Sequence, residues 1–150
     1  MMLRQLALAV AVAFAALPAA ADDDIEDRVA NGTVAQAMDR LEKAVTDAGA
    51  TVFARIDHAG NASKAGLEMP ASELLIFGNP KLGTPLMLTD PRAGLFLPQK
   101  ILIYSDENGE TRVIYREVDE IFDDLDIDDD HEAIRKMKDA MAQFAAAAAG

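Results

Sequence analysis

The chain has 150 residues, 51% hydrophobic and 5% aromatic, which suffices for one domain around one core and is too short for two of ordinary size. Its 26 acidic residues against 14 basic ones give a formal charge of -12, a balance that repels phosphate backbones and anionic lipid surfaces and argues against nucleic acid as a partner. Cysteine is absent, which removes disulfides, thiolate nucleophiles, Cys-ligated metal centres and lipoprotein acylation.

The first residues read as an export signal. Arg4 supplies a positive start, Leu6 to Leu17 is an unbroken apolar run, and Ala19-Ala20-Ala21 offers the small-x-small pattern that signal peptidase needs before Asp22. Cleavage after Ala21 leaves one domain, residues 22–150, in the periplasm or outside the cell. The apolar run falls short of the roughly 20 residues that cross a bilayer as a helix, and no later run is long enough to span one. Cleavage removes one base and no acid, so the mature chain is more acidic still.

Ile25 to Ala30 is expected to form a first short strand. Thr33 and Gln36 have the spacing of a capping box, and Val34, Met38, Leu41, Val45 and Ala48 recur at helical spacing until Gly49 ends the run. Thr51 to His58 alternates, with Val52, Ala54 and Ile56 on one face and Arg55 and Asp57 on the other, as a second strand. Glu73 to Gly78 is a third, whose four successive apolar residues suit a strand buried on both faces or one closing against a partner subunit. Thr84-Pro85 is a cap followed by a first turn, predicting a short helix over Pro85 to Leu88 that stops before Asp90-Pro91. Leu97 to Ser105 and Thr111 to Arg116 flank Asp106-Glu107-Asn108-Gly109, whose Asn-Gly predicts a tight antiparallel hairpin. A short helix over Val118 to Leu125 follows. A long one starts after an Asp cap among Asp128 to Asp130 and buries Ile134, Met137, Met141 and Phe144. The Ala145 to Ala149 run either extends this helix or frays. The order is β-α-β(4)-α, an α+β domain with an antiparallel sheet and two main helices packed against it.

Several segments carry a resemblance. Ile56-Asp57-His58-Ala59, Ala65-Gly66-Leu67, Leu75-Ile76-Phe77-Gly78-Asn79-Pro80, Gly83-Thr84-Pro85-Leu86-Met87 and Asp90-Pro91 closely resemble the motifs of the DUF302 family. The likeness covers roughly Ile25 to Tyr115 and is most specific from Ile56 to Lys100. It implies a TBP-like α+β fold of the same element order, and a biochemical role that is unassigned.

His58, beside Asp57 in the first of these motifs, falls by strand parity on the apolar side with Ile56. It suits a general base or metal ligand, its tautomer set by a carboxylate such as Glu73, but as a lone histidine it reads first as structural or ligand-contacting, holding the following loop. Gly78 to Thr84 has the G-x-x-x-x-G spacing of a phosphate loop, but Thr84-Pro85 stands where that motif has Lys-Ser/Thr, so no nucleotide site follows. Gly78, Asn79, Lys81 and the Thr84 hydroxyl still suit a small carboxylate or phosphate; alternatively, Gly and Pro only shape a tight connection and Thr84 caps its own helix. Met87, with Phe77, Leu86 and Phe96, lines an apolar pocket or a subunit interface. Methionine with histidine raises haem or copper, but no C-x-x-C-H sequence is present and seven methionines in a tryptophan-free chain read as core filler, so no cofactor is expected. Within residues 119–132, Asp124, Asp126 and Asp128 alternate as in a calcium loop. Asp129 and Arg135 occupy the positions that need Gly and Glu, so no metal site follows.

These readings favour a binding module for a small ligand or an envelope protein, contacting it through Asp57, His58, Gly78, Asn79, Lys81, Thr84, Met87 and Lys100. An enzyme with His58 as acid or base, and Lys81 or Lys100 stabilising an anionic substrate, is the alternative. A purely structural envelope protein is another; in the binding and the structural readings alike the chain is expected to form a homodimer, since the Leu74 to Phe77 and Leu95-Phe96-Leu97 runs offer more apolar surface than the domain readily covers.

Overall fold

Residues 24–150 are described by a computed structural model, and the export signal read over residues 1–21 lies outside them. Strand β1 spans Ile25–Ala30. Helix α1 (Val34–Asp47) opens on the expected capping box: the Gln36 N–H donates to the Thr33 hydroxyl at 3.3 Å, and the Thr33 N–H donates to the Gln36 side-chain oxygen at 3.0 Å. It closes on Gly49, whose φ of 75° lets the Gly49 and Ala50 N–H groups reach back to Thr46 and Val45.

β2 (Thr51–Asp57) ends one residue before the expected strand, because the Asp57 carboxylate accepts the Gly60 N–H at 2.8 Å and starts a helix, α2 (His58–Lys64), that periodicity alone did not reveal. β3 (Ser72–Gly78) follows, then α3 (Pro80–Thr89) and a 3-10 turn at Pro91–Leu95. Thr84 does not cap α3. The helix starts at Pro80 with Asn79 as its cap, and Pro85 sits inside it. β4 (Gln99–Ser105) and β5 (Thr111–Arg116) form the expected hairpin. Of its turn residues only Gly109 has positive φ, so the connection is a longer loop held by the Asp106 carboxylate on the Asn108 and Glu110 N–H groups, and not a two-residue Asn-Gly turn. α4 is a short turn at Val118–Phe122. α5 (Glu132–Ala149) is capped by His131, whose Nδ1 accepts the Ala133 N–H at 3.1 Å, instead of by an aspartate.

The five strands form one antiparallel sheet in the order β1-β5-β4-β3-β2. Both long helices lie on one face and pack against each other. Pairing puts Leu75 opposite Ile101, and these fully buried residues meet Met38 and Leu41 of α1 and Ile134 and Met141 of α5 in the core. The Phe77 and Phe144 rings meet edge-on, with centroids 5.5 Å apart and planes at 83°. Ala145 and Ala148 are buried, so the alanine run extends α5 and lets it approach its neighbours closely.

The apolar run of β3 divides by parity. Leu75 and Phe77 enter the core, while Leu74 and Ile76 lie on the opposite face, so only half of that run is surface left uncovered by its own helices. In β2, Arg55 on the helix side joins Glu73 at 2.6 Å, Asp39 at 2.7 Å and Glu42 at 3.2 Å, tying the sheet edge to α1. These partners, Glu73 foremost, raise the guanidinium pKa above its ordinary value.

Candidate functional site

A cavity of about 420 Å³ lies between α3, α5 and the sheet. Its floor is Phe77 of β3 and Gln99 of β4, paired across the ladder. Leu82, Thr84 and Met87 of α3 form one wall, and Met137, Met141 and Phe144 of α5 the other. Among the described residues no lining side chain carries a charge; the polar ones are Asn79, Thr84 and Gln99.

Two local features shape the mouth. The β2–β3 register moves from Val52 opposite Phe77 to Ala54 opposite Ile76, leaving Phe53 as the extra residue of a bulge. Its ring lies at the cavity edge, 56% exposed. A Cβ on Gly78 would stand 3.3 Å from that ring and 3.5 Å from Pro98, so glycine lets both close over the end of β3.

Of the residues singled out from sequence, Gly78, Asn79, Thr84 and Met87 line this cavity together. Lys81, exposed, does not. The free N–H groups expected there for an anion are already satisfied: the Asn79 side chain accepts from Lys81, and its carbonyl accepts from Leu82 and Gly83. Asp57 and His58 stand at the other end of the sheet edge, since Asp57 pairs with Glu73 while Thr51 pairs with Gly78. The Asp57 carboxylate holds the Gly60 N–H and Glu73 holds Arg55, so neither carboxylate orients His58. Lys100 lies on the sheet face away from the helices, its ammonium on the Phe96 and Pro98 carbonyls at 3.2 and 3.1 Å. Gln99, one residue earlier, was not singled out; in sequence it is a polar residue opening a strand, and only its pairing with Phe77 puts it on the cavity floor.

That other sheet face carries Ile56, Leu74, Ile76, Leu102 and Ile114 in adjoining rows, none of them fully buried. Along its edge a second hollow of about 530 Å³ is bounded by Ile25, Leu95, Lys100 and Arg116, among others. A third cluster, of Glu26, Arg28, Tyr115, Glu117 and Lys138, lies beside β1. Burial, then the adjacent Glu26, raises the Glu117 pKa; the Lys138 ammonium lowers that of Asp119; burial raises that of the Tyr115 phenol. Lys138 thereby ties α5 to α4. Among the described residues no three His, Asp or Glu side chains converge to hold a metal ion.

Residues 25–144 match the family described as Domain of unknown function DUF302. The fold is similar to that in the crystal structure of an uncharacterized conserved DUF302 protein from Bacillus stearothermophilus, with a TM-score of 0.75 and 17% identity, covering 83% of this chain and 98% of that one. A stretch of 77 residues is 42% identical to part of a protein described as fluoride-specific ion channel FluC 1 of Brucella suis biovar 1 (strain 1330), covering 51% of this chain and 30% of that protein. The identity is the same to fluoride-specific ion channel FluC 2 of Brucella melitensis biotype 1, over 28% of that protein. The match thus spans less than a third of those relatives' length. Among the described residues no helix is long and apolar enough to cross a membrane.

Proposed function

The chain belongs to the DUF302 family of unknown function, and on that premise we propose that it is an exported binding module that takes a small molecule into the cavity between α3 and α5. The observation that carries the reading is the cavity itself: about 420 Å³, walled by apolar side chains with a few polar groups, in the size range of sites for small ligands. Its residues come from both α3, which follows β3, and the last helix, which gives the family-like Gly78 to Met87 segment a use beyond turning the chain. Export rests on the pattern of residues 1–21, which leaves a chain starting at Asp22. Native mass spectrometry of the gently purified mature protein tests the binding reading. A retained small molecule that disappears from a Thr84→Phe variant supports it, and a protein that is empty and binds no apolar probe removes it.

A second reading, self-association, is favoured by the uncovered sheet face. Leu74, Ile76, Leu102 and Ile114 would meet their counterparts in a second copy, with Leu95, 81% exposed, at the margin. Interface variants therefore belong at Leu74 and Ile76, and not at Phe77, which is core. Sedimentation at micromolar concentration should give a dimer that Leu74→Lys dissociates; a monomer for the unmodified chain defeats this reading. The Brucella relatives support an envelope membrane protein as a further partner, since a stretch like this one occurs there within a protein described as a fluoride channel. Co-elution of the chain with such a channel in detergent tests that association, and separate elution removes it.

A further inference from the structure

Gln99 is 6% exposed, yet the only partner the described residues give its amide is the Met137 sulfur, 3.6 Å from Nε2. Sulfur is a weak acceptor, so the Gln99 amide, which lines the cavity, keeps hydrogen-bonding capacity to spare. Within the cavity its neighbours Phe77, Leu97, Met137, Met141 and Phe144 are apolar. The polar groups nearest in sequence to a charge, Asn79 and Thr84, are also neutral, and the lysine of that segment is outside the lining.

From this arrangement we propose that the cavity selects an uncharged, mostly hydrocarbon molecule bearing one hydrogen-bonding head group, a hydroxyl or carbonyl, which binds the Gln99 amide on the cavity floor. The proposal rests on the binding reading above and goes further by naming the ligand class and the residue that reads it. A carboxylate, phosphate or ammonium group finds no countercharge in the lining and would be desolvated without return, which excludes charged head groups from the floor. The Gln99 amide offers both a donor and an acceptor, so a hydroxyl or carbonyl replaces the Met137 contact with a full hydrogen bond. The exposed Phe53 and Met87 at the mouth present flat or adaptable apolar surface to the hydrocarbon end.

The test uses diphenylhexatriene, a hydrocarbon fluorophore with no polar atom, displaced in turn by 1-decanol, decanoate and decyltrimethylammonium. The fluorophore should bind the mature protein and be excluded by Thr84→Phe or Ala140→Phe; failure to bind at all would remove the cavity reading itself. Decanol should compete at least about tenfold better than either charged chain. Gln99→Leu should keep fluorophore binding and weaken decanol by about fivefold to tenfold, the loss of one hydrogen bond. Normal fluorophore binding with decanoate competing as well as decanol, or with decanol unaffected by Gln99→Leu and by Gln99→Met, overturns the ligand class and the role of Gln99 while leaving the cavity reading standing.

Discussion

Replacing Arg55 by methionine removes the cation that pairs with Glu73, Asp39 and Glu42, while keeping a long apolar stem over the edge of the sheet. The three bonds are unequal. The Glu73 carboxylate, 16% exposed and 2.6 Å away, is the sheltered partner, and a charge-assisted hydrogen bond in such a place contributes about 1.5–3 kcal/mol. Asp39 and Glu42 are 68% and 41% exposed, and exposed pairs add only about 0.2–1 kcal/mol each. Urea unfolding of Arg55→Met near neutral pH should therefore show a loss of about 2–5 kcal/mol, most of it from Glu73. Glu73→Gln alone should cost less, because its amide still accepts from the guanidinium. The double variant should lose less than the two single losses added, with a coupling of about 1–2 kcal/mol. Raising salt to about 1 M should erase the exposed contributions and leave the Glu73 coupling largely intact. A loss under about 0.5 kcal/mol, or strictly additive variants, would refute the assignment of Glu73 as the main partner of Arg55 and of their bond as a clasp between β2 and β3.

Asp90 should make stability fall in acid. The Arg92 side chain, then its backbone N–H, holds the carboxyl well below the usual aspartate value of about 3.9, so its stabilisation is complete above about pH 4 and is lost as pH falls through the folded-state value. The gap in urea midpoint between the unmodified chain and Asp90→Asn should be constant above about pH 5 and narrow below about pH 4; an equal gap at every pH contradicts this. Phe144→Ala deletes the edge-on partner of Phe77 and enlarges the cavity, and should cost about 3–5 kcal/mol by urea unfolding; a change under about 1 kcal/mol would mean that α5 does not hold its place through this ring. Asp57→Ala removes the α2 cap at a cost of about 0.5–2 kcal/mol. It should leave diphenylhexatriene affinity unchanged, and a parallel fall in affinity would place the Asp57-His58 turn in the site after all.

Local rules were enough for the elements whose signals are contained in a few adjacent residues. The Thr33/Gln36 box, the stripe Val34, Met38, Leu41 and Val45 with its Gly49 stop, the five strands and the stripe Ile134, Met137, Met141 and Phe144 all follow from capping chemistry and period, and the family likeness points to the same sheet and helices. Competing caps were beyond such rules. Asn79, Asp57 and His131 each took a role that sequence reading gave to another residue or to none, because several residues at each junction can accept the same N–H and tertiary position chooses among them. The face of β3 that meets the helices, the bulge that turns Phe53 to the cavity mouth, and the meeting of Gln99 with Met137 are set by pairings between strands and helices far apart in the chain. The sequence by itself determined the five strands, the two long helices and their order, and it picked out Gly78, Asn79, Thr84 and Met87 of the cavity lining. Only the tertiary structure decided that this lining is neutral, that Asp57 and His58 stand apart from it, and that an amide lies at its floor, since burial and countercharge depend on which distant side chains close over a group.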